Sequence, residues 1–221
     1  QGASIHTGCE VKEIHQAEDN GRIHSVVTNQ GEIATSTVVC AAGVWSNHVA
    51  GMVGLDLPTR PRKGHILVTT KRPNFVHHPL LEGGYVTTVE SAAEDLQVAL
   101  VLEMTTSGTL LIGSSRQFCG YDRTVSHSVI RAMAKRATRF LPRLESTPML
   151  RSYAGLRPWS PDGLPLIGPT RIPGFYLATG HEGAGICLAP ITGKMIAQFI
   201  KEEALPEEAD VVHPRRFDVP K

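Results

Sequence analysis

An arginine stands in the middle of an apolar, turn-rich stretch, where its charge needs a partner. Arg157 lies in the run Y-A-G-L-R-P-W-S-P-D-G-L-P-L-I-G-P, which extends from Tyr153 to Pro169. A guanidinium presents a planar set of N–H donors that fits a substrate carboxylate. The alternative is a structural ion pair with Asp162 that ties down the loop, because arginine–aspartate pairs are common in folded proteins. The stretch therefore predicts either a carboxylate-binding arginine or a pinned loop.

A glycine-rich turn further along suits an anion or an electron-rich oxygen. The run A-T-G-H-E-G-A-G-I-C-L-A-P, from Ala178 to Pro190, carries an apolar strand into a helix start. Unpaired N–H groups and the positive end of the helix dipole meet there. The spacing G-x-x-G-x-G differs from the G-x-G-x-x-G of a dinucleotide pyrophosphate site, so no such site is predicted. His181 is interpreted with equal weight as a site residue and as a polar residue that fixes the loop.

A third stretch, V-V-C-A-A-G-V-W-S from Val38 to Ser46, is a hydrophobic strand that enters a turn of small residues. Gly and Ala let the backbone approach a ligand closely, although ordinary strand-to-helix turns share this pattern. His77 and His78 beside Pro79 are interpreted as loop, and no metal site is predicted, since no further ligands stand at metal-binding spacing.

The first part of the chain has the pattern of a small β-meander that begins near Ile5. The pair Asn20-Gly21 is the strongest short signal for a hairpin turn. The run from Thr37 to Ala42 is predicted to complete the meander as a buried strand. A proline-rich crossing from Pro58 to Pro61 then leads to a second region.

The second region alternates Gly or Pro with β-rich runs at 66–70, 85–88, 98–103 and 109–113. No helical period intervenes, so the sheet is predicted to be antiparallel. A helix is predicted over 126–141, with Phe140 on its apolar face, and Pro142 ends it.

A last helix is predicted from about Gly185 to Glu203, and an extended surface strap over 202–221. The residues expected to face inward from this helix are Ile186, Pro190, Met195, Ile196 and Phe199.

Composition places the chain among ordinary globular proteins. Of its 221 residues, 41% are hydrophobic and 19% are charged, and the apolar runs are too short for a transmembrane segment. The formal net charge is +1, and no basic stripe with aromatic residues occurs, so nucleic acid is not an expected partner. Widely separated cysteines are expected to be buried, reduced thiols in a cytoplasmic setting; they are Cys9, Cys40, Cys119 and Cys187.

Taken in order, these stretches resemble the family of D-amino-acid oxidase, glycine oxidase and sarcosine oxidase. The resemblance is carried by A-A-G-x-W-S, G-L-R-P-x-x-x-D-G-x-P-x-I-G and G-H-x-x-x-G-I-x-L-A-P. It covers the chain from Ile5 to Phe217 and matches the C-terminal part of a typical member. The implied fold is α+β or α/β: parts of an FAD-binding domain at 1–58 and 150–221, and an antiparallel-sheet substrate domain at 59–149.

The resemblance also implies roles for individual residues. Arg157 and His181 would lie at the substrate, with Arg157 binding its carboxylate. Gly64 would mark the crossing into the substrate domain, where Arg-Gly-Gln is more usual, and Lys63 and His65 depart from that pattern. The implied cofactor-binding residues are Val11 through its backbone on the adenine side, Ala42, Gly43 and Trp45 in the cofactor groove, and Gly180, His181, Glu182, Gly183, Ala184, Gly185 and Ile186 around the flavin pyrimidine end.

The implied function is FAD-dependent oxidation of the C–N bond of an amino acid or secondary amine. Hydride transfer to flavin N5 needs alignment and an unprotonated amine, so no catalytic acid or base is predicted. Gly183 stands where glycine-oxidase-like members carry a second arginine. The turn is more similar to flavoprotein subunits of opine oxidases, hydrogen-cyanide synthase and D-hydroxyproline dehydrogenase, which pass electrons to partner subunits. Such a subunit would be cytoplasmic and peripheral at the inner membrane face.

No G-x-G-x-x-G follows a strand in this chain, and the resemblance places that element before Gln1. The chain alone is therefore expected to bind FAD weakly or not at all, and to be inactive. Two other hypotheses stay open. A non-catalytic assembly or binding subunit would have kept the fold without the cofactor, against which the intact Arg157 and the glycine-rich turn count. A flavin monooxygenase of the wider two-domain group is disfavoured by G-L-R-P and G-H-x-x-x-G-I.

Overall fold

The computed structural model describes residues 2–207 and 209–217, and the chain divides into two compact units. The first unit comprises the described residues up to Thr59 and those from Ser160 onward, and the second runs from Arg60 to Trp159. The sequence placed the second boundary ten residues earlier, at 149/150. In the structure the boundary follows Trp159, because the strand Met149–Trp159 pairs along its length with Arg60–Lys71. The function of each unit stays a prediction.

The first unit contains two small sheets. One is an antiparallel meander of β1 (Val11–Gln16), β2 (Ile23–Thr28) and β3 (Gly31–Ala34). The second sheet contains β4 (Val38–Cys40), β10 (Leu166–Pro169) and β11 (Phe175–Thr179). In it β11 pairs antiparallel with β10 and parallel with β4. The predicted meander is thus confirmed for three strands and wrong for β4, which joins the other sheet. Ile5 lies outside any strand and is 89% exposed.

Three helices complete the first unit: α1 (Ser46–Gly51), α4 (Gly185–Lys201) and α5 (Ala209–Val212). Phe175 and Leu177 of β11 form the centre of its core, and Met195 and Ile196 of α4 pack in a second cluster with Ile167 of β10. Each such side chain contributes about 1.5–3 kcal/mol when it leaves water. The further members of the central cluster are Ile14, Ile23, Val26, Cys40, Ala50, Val53, Leu55, Leu57 and Leu166.

Helix α4 has a narrower buried face than predicted. Thr192, Met195 and Ile196 are its buried residues, and this spacing defines one helical stripe. Ile186 lies about 120° away from that stripe at 100° per residue, and it is 92% exposed. Pro190 is exposed for the same reason. The prediction that both face inward is wrong.

The described part of the tail is not an extended strap. It forms α5 and a turn at Pro214–Phe217, with Ala209 and Pro214 buried. Charged and proline-rich composition suggested a solvated strap, but a few apolar residues anchor the tail on β10. The prediction for 218–221 lies outside the described residues.

The second unit is built on one five-stranded sheet in the order β6–β7–β8–β5–β9. The strands are β5 (Arg60–Lys71), β6 (Leu80–Leu81), β7 (Gln97–Met104), β8 (Thr109–Phe118) and β9 (Met149–Trp159). Every pairing in it is antiparallel, which confirms the predicted antiparallel sheet.

The strand predicted at 85–88 is wrong, because these residues lie in helix α2 (Gly84–Glu90). Their β-branched and aromatic side chains suggested a strand, but such preferences express fit to a pleated surface rather than a backbone rule. Here the Tyr85 N–H donates to the Glu82 carbonyl in a turn that starts the helix.

Helix α3 (His127–Phe140) covers one face of the sheet. Its buried residues Val129, Ile130, Met133 and Ala137 pack on Leu67, Leu100, Leu102, Leu110 and Ile112. Phe140, expected on this face, lies at the helix end and is 48% exposed. Because side chains alternate along a strand, Ile66, Val101 and Leu111 project from the opposite face.

Candidate functional site

Arg157 lies across the backbone of the neighbouring strand. The β5–β9 register pairs Gly64 with Gly155, which lies two residues before Arg157. A methyl group at Gly64 would stand only 2.3 Å from Arg157 Nη1. The same Nη1 donates to the carbonyl oxygen of Ser115 on β8 at 3.1 Å. The missing side chain at Gly64 therefore lets the guanidinium lie against the sheet, held by β8.

A cavity of about 130 Å³ is formed in part by this guanidinium. Its apolar walls come from the sheet face opposite α3, and a few polar groups join them. This combination is typical of sites for small molecules, and the volume suits a small amino acid or amine. The lining residues are Ile66, Tyr85, Val101, Glu103, Leu111, Gly113, Ser114 and Arg157.

A second arginine, Arg116, contacts two residues of the cavity lining, Tyr85 and Ser114. Arg116 is 2% exposed, and its guanidinium lies 4.6 Å from the centroid of the Tyr85 ring, a cation–π contact. Its Nη1 donates to Ser114 Oγ at 3.2 Å. Sequence patterns did not point to Tyr85, Ser114 or Arg116, because no local motif surrounds them.

The loop after β9 is fixed by an ion pair between Asp162 and Arg216. Arg216 Nε donates to Asp162 Oδ2 at 2.6 Å, and Nη2 donates to Oδ1 at 3.2 Å. Burial alone would raise the pKa of Asp162, but the bonds from Arg216 and from the Leu164 N–H lower it. Asp162, which the sequence offered as an alternative partner of Arg157, is thus bonded to Arg216 of the tail.

In the first unit, two buried hydroxyl groups join the two turns expected to bind the cofactor. Ser46 Oγ donates to Thr179 Oγ1 at 2.9 Å, and Thr179 Oγ1 donates to the Gly43 carbonyl at 3.1 Å. Ser46 and Thr179 are 0% and 1% exposed. The turn at Ala42–Trp45 is therefore held beside Gly180. Sequence reasoning assigned no role to this pair, although a hydroxyl directly before Gly180 was a usable signal.

These turns leave room at the residues singled out by the sequence. Gly43 has a φ of +57°, and a Cβ added there would have no atom within 4 Å. A Cβ added at Gly183 would likewise have no atom within 4 Å. Trp45 is half exposed, and Glu182 adopts a φ of 47°.

Helix α4 begins without a side-chain cap. Its N-cap residue is Ala184, no side chain caps the helix, and no acidic residue stands in the first turn, which starts with Gly185 and Ile186. The N-cap side chain therefore supplies no acceptor to the first N–H groups of the helix.

His181 anchors the glycine-rich turn. Its Nε2 lies 3.0 Å from Thr192 Oγ1 on α4, and burial lowers the pKa of His181, which keeps the ring neutral at pH 7. These contacts support the loop-fixing interpretation, and its contact with substrate stays a prediction. Val11 opens β1 opposite Thr28 and packs on the core of the first unit; its contact with the adenine likewise stays a prediction.

Gly180→Ala should cost more stability than Gly43→Ala, although both residues have positive φ. An alanine at either position is strained by about 1 kcal/mol. At Gly180 the new Cβ would also stand 2.9 Å from Leu166 Cδ1 and 3.4 Å from Leu166 N, whereas at Gly43 it meets nothing within 4 Å. We expect losses of about 2 and about 1 kcal/mol in urea unfolding. Equal losses would show that the contact with Leu166 relaxes freely.

Trp159, two residues after Arg157, and the pair His77-His78 have the following surroundings in the structure. Trp159 is buried and packs edge-to-face on Phe118 with ring centroids 5.1 Å apart. His77 and His78 are exposed in a loop, and among the side chains that the structure describes no three metal-binding residues cluster.

The four cysteines are free. Cys40 is buried but Cys187 is exposed, because Cys187 lies off the buried stripe of α4. Cys9 and Cys119 are partly exposed, so the expected burial holds for Cys40 alone.

Across the described chain, each helix is either too short or too polar to cross a lipid bilayer.

The fold is that of solved amino-acid dehydrogenases and oxidases. The structure of L-proline dehydrogenase from P. horikoshii superimposes with a TM-score of 0.82 at 27% identity, over 95% of this chain and 54% of that one. The chain belongs to the FAD dependent oxidoreductase family, whose sequence model matches residues 1–199.

Two curated relatives share about a third of the aligned residues. Hydrogen cyanide synthase subunit HcnC of Pseudomonas protegens is 32% identical over 207 residues, which is 92% of this chain and 45% of that protein. Glycine oxidase of Pseudomonas aeruginosa is 32% identical over 185 residues, 82% of this chain and 46% of the relative. The chain thus spans about half the length of the curated relatives it matches.

Proposed function

We propose that the full-length gene product is an FAD-dependent oxidoreductase that oxidises the C–N bond of a small amino acid or secondary amine. The observation that carries this is the Arg157 guanidinium, which lies over Gly64 and lines a cavity of about 130 Å³. Two parallel N–H donors of an arginine bind a carboxylate with fixed orientation. Glycine oxidase and L-proline dehydrogenase, to which the chain is similar, act by name on amino acids.

The first unit fits FAD. Open space at the Cβ positions of Gly43 and Gly183 allows a flat ring close to the backbone, and the first N–H groups of α4 receive no cap from the side chain of the N-cap residue Ala184. The residues that would hold the cofactor are Val11, Ala42, Gly43, Trp45, and Gly180 to Ile186. FAD, when bound, accepts the hydride that leaves the substrate carbon. The start of α4 would stabilise negative charge placed near it.

The residues of the cavity would orient the substrate and favour its reactive form. Arg157 fixes the carboxylate, while Ile66, Val101 and Leu111 pack against the carbon skeleton. Apolar walls and the positive charge of Arg157 act to lower the pKa of a bound amine, against the opposite effect of the Glu103 carboxylate that also lines the cavity. The nitrogen then keeps the lone pair that must form the C=N bond as the hydride leaves.

A partner subunit would serve as electron acceptor. Gly183, in place of a second arginine, supports this, as does the similarity to a protein named as a synthase subunit. The free cysteines support a reducing, cytoplasmic setting, and such an assembly would be peripheral at the inner membrane face.

Anaerobic titration of the FAD-loaded full-length gene product tests this function. We expect D-proline, hydroxyproline, sarcosine or an opine to bleach the flavin absorbance, and readmitted air to restore the colour slowly if a partner is the acceptor. Fast recovery in air would contradict the partner. A colourless protein that also refuses added FAD would contradict the enzyme and favour a non-catalytic assembly subunit.

A further inference from the structure

A buried histidine connects the strand beneath Arg157 to the start of helix α3. His65 is 0% exposed. Its Nδ1 lies 2.9 Å from Ser115 Oγ, and its backbone N–H donates to the same oxygen at 3.0 Å. On the far side of the ring, Nε2 accepts the backbone N–H of Ser126 at 3.2 Å. Ser126 is the residue from which α3 begins.

The surroundings keep this ring neutral. Burial lowers the pKa of His65, and the charges of Lys63 and Arg157 lower it further. The carboxylate of Asp122 and a backbone hydrogen bond with Thr124 act in the opposite direction. Asp122 is itself paired with Lys63, whose Nζ lies 2.7 Å from Oδ2, so its effect on His65 is offset.

The hydrogen bonds define which nitrogen carries the proton. The N–H of Ser126 points at Nε2, so Nε2 must offer a lone pair. The proton of the neutral ring is therefore on Nδ1, which donates to Ser115 Oγ. Ser115 is 0% exposed, and it receives two N–H groups of His65 on its hydroxyl while its carbonyl receives Arg157 Nη1 at 3.1 Å.

We propose that His65 is a positioning residue which, through Ser115, holds the Arg157 guanidinium in place for a substrate carboxylate. Protonation of His65 would disturb the position of the Arg157 guanidinium. Nε2 could no longer accept the N–H of Ser126, and the new positive charge would repel Arg157. This role rests on the proposed function of Arg157 as the carboxylate-binding group.

The test measures binding of acetate to the FAD-loaded full-length gene product, by calorimetry and by the change in flavin absorbance, with acetamide as the neutral comparison. His65→Leu should raise the Kd for acetate about 10-fold, by analogy with the lower end of the loss when a residue that orients a metal ligand is removed. His65→Gln should stay near the wild-type Kd, since its amide can both donate to Ser115 and accept from Ser126. With the amine substrate, His65→Leu should raise KM and leave kcat nearly unchanged.

The pH dependence provides a second readout. The pKa of His65 is lowered in the folded protein. The hydrogen bond that neutral His65 accepts from Ser126 is therefore fully formed above the ordinary value of about 6.5, and it is lost as pH falls through the folded value. Acetate affinity should therefore fall more steeply below pH 6.5 in the wild type than in His65→Gln. His24→Gln removes an exposed imidazole and should follow the wild type.

The outcomes separate the two claims. If acetate binds no better than acetamide and Arg157→Ala changes nothing, the proposed function fails. If acetate binding depends on Arg157 but His65→Leu leaves its Kd unchanged, the role of His65 is overturned and the proposed function stands. If His65→Leu does not fold, identical pH profiles of wild type and His65→Gln overturn it.

Discussion

Arg157→Ala should raise KM for the amine substrate by about 100-fold, because truncating one partner of a buried, hydrogen-bonded charge pair costs about 2–5 kcal/mol. The guanidinium is held over Gly64 by the Ser115 carbonyl, and under the proposed function this position is the one that binds the planar carboxylate. Steady-state kinetics of the FAD-loaded full-length gene product, checked by acetate binding, measures the effect.

Arg151→Ala is the matched control for this substitution. Arg151 stands on the same face of β9, six residues before Arg157, and is exposed with its guanidinium near the Tyr153 ring. Its removal should leave KM unchanged. The KM of Arg157→Lys should lie between those of the wild type and Arg157→Ala, since an ammonium supplies charge without the planar set of N–H donors. Equal KM values for the wild type and Arg157→Ala would contradict the assignment.

Gly64→Ala should impair the enzyme nearly as much as Arg157→Ala while the fold is retained. The new Cβ would stand 2.3, 2.5 and 2.6 Å from Nη1, Nη2 and Cζ of Arg157. These atoms end a flexible side chain, so the arginine turns away and the backbone stays in place. We expect KM to rise by tens of fold, on the order of 2 kcal/mol of lost binding, with stability within about 1 kcal/mol of the wild type.

Gly155→Ala is its control. Gly155 lies directly opposite Gly64 in the β5–β9 pairing, and an added Cβ there meets nothing within 4 Å. Both substitutions put one methyl group into the same pair of strands, so any general effect on the sheet is shared. A wild-type KM in Gly64→Ala, or an equal rise in Gly155→Ala, would show that the guanidinium does not depend on the space over Gly64.

Much of this arrangement is local and could be predicted from the sequence. Periodicity located α3 and α4, and the β-rich runs predicted the antiparallel sheet. The apolar setting of Arg157 indicated either a carboxylate-binding residue or a structural ion pair, and its role at the substrate stays a prediction. The relation of Arg157 to Gly64 could not be predicted, because it depends on the register of two strands far apart in the chain. The same holds for the contact between Ser46 and Thr179.

Other features were misread because tertiary packing overrides local preference. Tyr85 stands among strand-forming residues, yet it lies in α2 under the Arg116 guanidinium. The strand β4 follows a meander in sequence, yet it pairs in parallel with β11. His65 looked only like a departure from a family pattern, and its role emerges from the distances to Ser115 and Ser126.

The most direct test of the central claim is an anaerobic titration that compares an amino acid with its own carboxamide. D-proline, hydroxyproline or sarcosine, whichever reduces the flavin, is set against the amide in which the carboxylate charge is removed. If Arg157 binds that carboxylate, the amino acid should bleach the wild-type flavin at about 100-fold lower concentration than the amide, and Arg157→Ala should abolish the difference. Equal reduction by acid and amide in the wild-type protein would contradict the assignment of Arg157.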